Sequence, residues 1–158
     1  NILTFLSCNP AIVNIDSSEE FSGFDILMYH GFSFIWYADV VESIRSKGGQ
    51  KRPDLIMEFL LKRRHLAPTH KSTLYLPDEK RDHLVIEKVP DFFVSGHIHR
   101  VSATNYRNVT CLNCGCWLRT TEYQEKAGIE PQPGKAVLVG LHDRKVKILN
   151  FHEDTKQK

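Results

Sequence analysis

Apolar positions along the chain fall into short runs with two periods. Asp25-Ile26-Leu27-Met28-Tyr29 and Asp91-Phe92-Phe93-Val94-Ser95 are nearly continuous apolar stretches of strand length. A strand that is apolar on both faces belongs inside a sheet with parallel neighbours. Both stretches open on an acid and close on histidine and glycine, His30-Gly31 in the first and Gly96-His97-Ile98-His99 in the second. Parallel strands deliver functional side chains at their carboxyl ends. Two imidazoles spaced i, i+2 across a turn can both reach a metal, and the glycine lets the backbone come close. If the two strands are parallel neighbours, three imidazoles converge on one sheet edge. The competing reading is that each histidine is only a polar residue ending a strand.

Around these stretches the pattern is that of an α/β domain. Short strands are expected at 2–6 and 12–15, separated by the Cys8-Asn9-Pro10 turn. Tyr37, Val40, Val41 and Ile44 recur at i, i+3, i+4, i+7 and predict a helix over 35–46, ended by Gly48-Gly49. A second helix starts at Pro53 and runs to Arg64, with Ile56, Phe59 and Leu60 inward. Residues 65–82 look irregular. Further strands are expected at 84–86, 92–95, 101–106 and 109–112. A hairpin of 136–141 with 146–151 follows, and 152–158 reads as a polar tail. The expected organisation is one domain over 1–151 plus that tail. The opening, apolar and without methionine, suggests a piece cut from a longer protein.

The 158 residues, 41% hydrophobic and 25% charged, are those of a globular domain able to bury a core. No apolar stretch approaches the roughly 20 residues of a membrane span, and no signal-peptide pattern is visible, so a cytoplasmic location is expected. Net charge is only +2 but uneven. Residues 1–42 hold six acids and no lysine or arginine, whereas residues 43–71 hold eight bases and two acids. Such a basic segment, with Lys62, Arg63 and Arg64 at its centre, can attract a polyanion such as nucleic acid. It can equally be the solvated face of a helix. Cys111, Cys114 and Cys116 form C-x-x-C-x-C, a weak metal pattern, because structural zinc takes four ligands and Cys8 is distant in sequence. Reduced, packed thiols fit better, and nothing demands an oxidising compartment.

The order strand–His-Gly, helical insertion, strand–Gly-His-x-His resembles the last two motifs of the calcineurin-like metallophosphoesterases. Within them, Ser7-Cys8-Asn9-Pro10-Ala11, Tyr29-His30-Gly31, His65-Leu66-Ala67-Pro68-Thr69 and Gly96-His97-Ile98-His99 are similar to the small subunits of archaeal D-family DNA polymerases. So are Trp117 to Gln124, Ile129-Glu130-Pro131 and Pro133-Gly134. The resemblance covers nearly the whole chain.

That resemblance implies an α/β fold, the carboxyl-terminal portion of a phosphoesterase β-sandwich flanked by helices. It implies a 3′→5′ exonuclease that proofreads DNA beside a large catalytic polymerase subunit. His30, His97 and His99 would be metal ligands, His30 to one ion and the Gly-His-x-His pair one to each. Two divalent ions are implied, manganese first, with iron, zinc or magnesium as alternatives. The family's Asp-x-His, Gly-Asp and Gly-Asn-His-Asp motifs are missing, and the resemblance puts them, with the catalytic residues, before Asn1. Asn9 precedes proline instead of His-Asp and does not take the asparagine role. The chain by itself is therefore expected to be inactive. Trp117, Arg119 and Tyr123 are candidates for docking the large subunit. The alternatives are a non-catalytic scaffold like the eukaryotic polymerase B-subunits, and a small metal or redox module built on the three clustered cysteines.

Overall fold

The computed structural model describes residues 7–122, 124 and 130–151. The strand expected at 2–6, the tail at 152–158 and Tyr123 lie outside the described residues.

The fold is mixed α/β. Strand β1 (Ala11–Ile15) leads to β2 (Phe24–Met28), then helices α1 (Phe34–Val40) and α2 (Glu42–Arg45). A single 3₁₀ turn at Gly49–Lys51 precedes α3 (Pro53–Arg63). Strands β3 (Phe92–Ser95), β4 (Ser102–Tyr106) and β5 (Val109–Asn113) follow, and then β6 (Lys135–Val139) and β7 (Val146–Asn150). Five strands form one sheet in the order β1-β2-β3-β5-β4, and β6 with β7 forms a separate two-stranded sheet. Strand β3 lies parallel to both β2 and β5, with Ile26 opposite Phe92 and Phe92 opposite Thr110. This inner place explains why β3 and β5 are buried on both faces.

Helix α3 packs on this sheet through Ile56, Met57, Leu60 and Leu61, all buried. An eleven-residue helix is marginal in isolation, so packing decides its stability. Each such side chain contributes about 1.5–3 kcal/mol on full burial. Pro53 sits in its first turn, Asp54 and Lys62 suit the dipole, and Arg64 closes it in the left-handed conformation. Phe34, Tyr37, Leu66, Ile86, Phe93 and Ile98 complete the core.

Two expected elements differ. The helix over 35–46 is broken at Val41, which adopts ψ 105° and serves as both the C-cap of α1 and the N-cap of α2. The i, i+3, i+4, i+7 pattern survives this break because both short helices face the same core, through Tyr37 and Ile44. Residues 84–86 do not form a strand. They make one antiparallel bridge, His65 with Val85, and Ile86 reaches the core through bonds to the loop after α3. No helix among the described residues is long and apolar enough to cross a membrane.

Candidate functional site

The acidic ends of the paired strands are structural. The Asp25 backbone N–H donates to the Asp91 carboxylate at 3.0 Å, and the Asp91 N–H returns a bond to the Asp25 carbonyl at 2.8 Å. Arg144, from the turn before β7, closes on Asp91, and Lys88 on Asp25. These contacts hold β2 and β3 in register at the end opposite the histidines.

At the carboxyl end the ladder runs past the strands. Tyr29 N–H donates to the Val94 carbonyl at 3.0 Å, and Gly96 N–H to the His30 carbonyl at 3.2 Å. His30 N–H donates to Asn9 Oδ1 at 2.8 Å, so the Asn9-Pro10 segment, joined by a cis peptide, fixes the start of the His30 loop. Gly31 has φ 104°, and a Cβ there would lie 2.8 Å from Ser95 Oγ and 3.3 Å from His97 Cβ. Only glycine lets the two strand ends come this close.

Two residues further along that loop, Ser33 is fully buried. It donates to the Leu66 carbonyl at 2.6 Å, and its N–H donates to Tyr29 Oη at 3.1 Å. The His65–Thr69 segment is thus a buttress under the loop. His65 accepts from Ala67 N–H on Nδ1 at 2.9 Å and faces Asp82 with Nε2 at 2.9 Å. Because Nδ1 must accept, Nε2 carries the proton and donates to Asp82. Both nitrogens are committed, which leaves His65 no free base.

The second loop is strained. His97 and His99 both adopt left-handed backbone, at φ 62° and 59°. Each such residue costs of order 1–3 kcal/mol, and strain of this kind collects at functional sites. Between them Ile98 is buried in the core, and its N–H closes a tight turn on the Gly96 carbonyl at 2.7 Å. Downstream, Asn113 is fully buried at the end of β5 and its side-chain amide donates to the Arg100 carbonyl. Gln132 N–H holds the His99 carbonyl at 2.7 Å, while the Gln132 side chain accepts from Val101 N–H at 2.9 Å.

These supports bring His30 and His97 together. His97 Nδ1 lies 3.0 Å from His30 Nε2, with ring centroids 4.9 Å apart. His99 joins neither nitrogen; its Nδ1 faces the Gln124 amide at 3.4 Å. Burial first, then the charges of His30 and His99, push His97 below its ordinary value of 6.5. A depressed imidazole is neutral at physiological pH, the form that donates to a metal. Among the described residues no group of three or more His, Cys, Asp or Glu side chains is placed to hold a metal ion.

Elsewhere the candidates separate. Arg64 spends its guanidinium on the carbonyls of Ile86 and Glu87, and Lys62 pairs with Glu58 at 2.6 Å. Arg63 lies over the Phe59 ring at 3.6 Å. Arg45, Lys51 and Arg52 are paired with Glu42, Glu130 and Asp54. Of the segment's eight bases, Arg45, Lys51, Arg52 and Lys62 are thus ion-paired, while Arg63 and Arg64 keep their charge. Trp117 is 68% exposed, not core, and meets Phe151 at 5.8 Å beside Leu118 at 71% exposure; Arg119 is also exposed. Cys111 is buried, Cys114 and Cys116 are half-buried, and none is disulfide-bonded.

Asn9 and Asn113 do not stand out as site residues in the sequence. The Asn9-Pro10 turn is visible there, but a side chain that acts through a backbone bond has no periodic signal.

The chain matches no protein-family model. It is 34% identical over 146 residues to the DNA polymerase II small subunit of Halobacterium salinarum, covering 92% of the chain and 27% of that protein. With the Archaeoglobus fulgidus protein of the same name identity is 38% over 130 residues, 82% of the chain and 25% of the relative. With that of Pyrococcus abyssi it is 38% over 144 residues, 90% of the chain and 22% of the relative. The chain spans about a quarter of the length of these relatives. Over that quarter, it belongs with the archaeal DNA polymerase II small subunits.

Proposed function

We propose that, within a full-length small subunit, the edge bearing His30, His97 and His99 forms part of a two-metal phosphodiesterase centre that removes nucleotides from DNA 3′ ends beside a large polymerase subunit. The observation supporting this reading is the approach of His30 Nε2 to His97 Nδ1 at 3.0 Å. Two neutral imidazole nitrogens brought this close would offer adjacent donors to a divalent ion. The donor chemistry therefore fits an ion, with manganese favoured and iron, zinc or magnesium as alternatives.

Two imidazoles do not complete a site. Bridging carboxylates must come from outside the described residues, and this chain alone is inactive in our reading. Divalent ions held there would offset phosphate charge and lower the pKa of water. The chain's own residues orient the donors. Asn9 and Gly31 set His30, Ile98 anchors the turn between His97 and His99, and Gln132 holds the His99 carbonyl. His97, depressed by burial, offers its nitrogen without first losing a proton.

The exposed Trp117–Leu118 surface, continued by Phe151, is our candidate face for the large subunit, with Arg119 at its margin. An aromatic anchor with neighbouring apolar and arginine side chains is typical of interface hot spots.

The test uses the full-length protein, 5′-labelled single-stranded DNA and added Mn²⁺. Wild type should shorten the DNA from its 3′ end, and His30→Ala or His97→Ala should remove both activity and bound metal. Full activity and metal content in His97→Ala would contradict the proposal. A folded wild-type protein without hydrolysis would favour the scaffold alternative.

A further inference from the structure

Phe32 follows Gly31 directly and is 54% exposed. Its ring centroid lies 4.5 Å from that of His30 and 5.4 Å from that of His97. The interplanar angles, 52° and 63°, are tilted, so neither imidazole stacks on the phenyl face. The loop beneath it is fixed. Gly31 is buried against Ser95 and His97, and Ser33 is buried with bonds to Tyr29 and Leu66. Phe34 N–H closes the turn on the Gly31 carbonyl at 2.9 Å. An apolar ring is thus held in place between two buried residues and presented beside the histidine pair.

Burying that ring would have been easy in sequence terms, since Phe34, two residues on, is fully buried. A ring that packed only for stability gains little from this position. A ring that receives a flat ligand needs both the exposure and the rigidity, because a preorganised side chain loses little freedom on binding.

We infer that Phe32 is a stacking platform for the terminal nucleobase of a single-stranded nucleic-acid end, positioning the adjacent phosphodiester at His30 and His97. The inference rests on the phosphodiesterase reading of that site and names the residue that seats its substrate. Stacking on an aromatic side chain accepts every base, since each has a π-face, so the platform confers preference for an unpaired end without sequence preference. A terminal base still paired in a duplex must be unpaired and drawn off its neighbour before it can be seated there with its phosphodiester at the histidines, which costs unpairing and unstacking energy. Phe32 is a positioning residue and takes no proton or metal.

Binding of single-stranded oligonucleotides to the full-length protein tests this, measured in EDTA so that hydrolysis does not intervene. One oligonucleotide ends in 2-aminopurine, whose fluorescence is quenched on stacking, and a second ends in an abasic sugar. Wild type should quench the 2-aminopurine and bind it more tightly than the abasic end. Phe32→Ala should weaken binding of the base-bearing end by about 5- to 150-fold, lose the quenching and leave abasic binding unchanged. Phe32→Tyr and Phe32→Trp should restore both. Equal weakening of both oligonucleotides by Phe32→Ala, or retained quenching, would overturn the platform. So would a ring covered by another part of the full-length protein, seen as a loss of stability with no base dependence. Hydrolysis with Mn²⁺ is scored separately, so an inactive wild type that still quenches refutes the phosphodiesterase reading and leaves the platform standing.

Discussion

Gly31 and Gly96 flank the same histidine pair, and the structure gives them opposite tolerances. Gly31 has φ 104°, where an L side chain is strained, and its Cβ would stand 2.8 Å from Ser95 Oγ and 3.3 Å from His97 Cβ. Gly96 has no such φ, and the nearest atom to its Cβ, the His30 carbonyl, is 3.9 Å away. For Gly31→Ala the left-handed backbone costs about 1–2 kcal/mol. Forcing a methyl against a buried neighbour adds about 1–3 kcal/mol. Together the change should destabilise by about 2–5 kcal/mol and push His97 away from His30. Gly96→Ala meets only ordinary contact distance, so it should lie within about 1 kcal/mol of wild type, with a small gain where it restricts the unfolded chain. Urea unfolding read by tryptophan fluorescence measures both. Mn²⁺ affinity of the full-length protein should fall for Gly31→Ala and hold for Gly96→Ala. Equal effects of the two alanines would refute the argument that the β2 and β3 ends meet through Gly31.

Burial pushes the Cys111 thiol up to about 12 and raises Cys114; since the thiolate is the reactive form, alkylation followed by mass spectrometry should label exposed Cys8 first and spare Cys111 until unfolding. The Arg52 hydrogen bond lowers Asp54 below its ordinary 3.8; its stabilising effect is present above that value and lost as pH falls through the lower folded one, so acid unfolding should be shallower in Asp54→Asn. Replacing Trp117 and Leu118 together with Ala should leave the fold intact, both being exposed, and weaken binding to the large subunit by at least about 30-fold, a hot-spot loss of about 2 kcal/mol; unchanged affinity by titration would remove this face from the docking account.

The sequence made the central geometry legible because two independent signals coincided. Continuous apolar runs marked β2 and β3 as inner strands, and the histidines followed each at the same end. Parallel pairing then placed His30 beside His97. It could not separate His99 from the pair, because the left-handed backbone at both His97 and His99 is a property of the turn, not of a spacing. Periodicity also overran Val41, where a change in ψ leaves the inward face unaltered. Which bases of the basic segment are paired was not legible either, since Glu130, which pairs Lys51, is distant in sequence. The acids opening each strand carried no hint of their role, because their partners are a backbone N–H and Arg144 from the far hairpin.

The most direct test of the account is the position of metal on the full-length protein. Anomalous diffraction from crystals soaked in Mn²⁺ should place an ion between His30 Nε2 and His97 Nδ1, at coordination distance from both, with His30→Ala removing the peak. An ion bound elsewhere, or none at this edge in a crystal whose wild-type protein is folded and active, would contradict it.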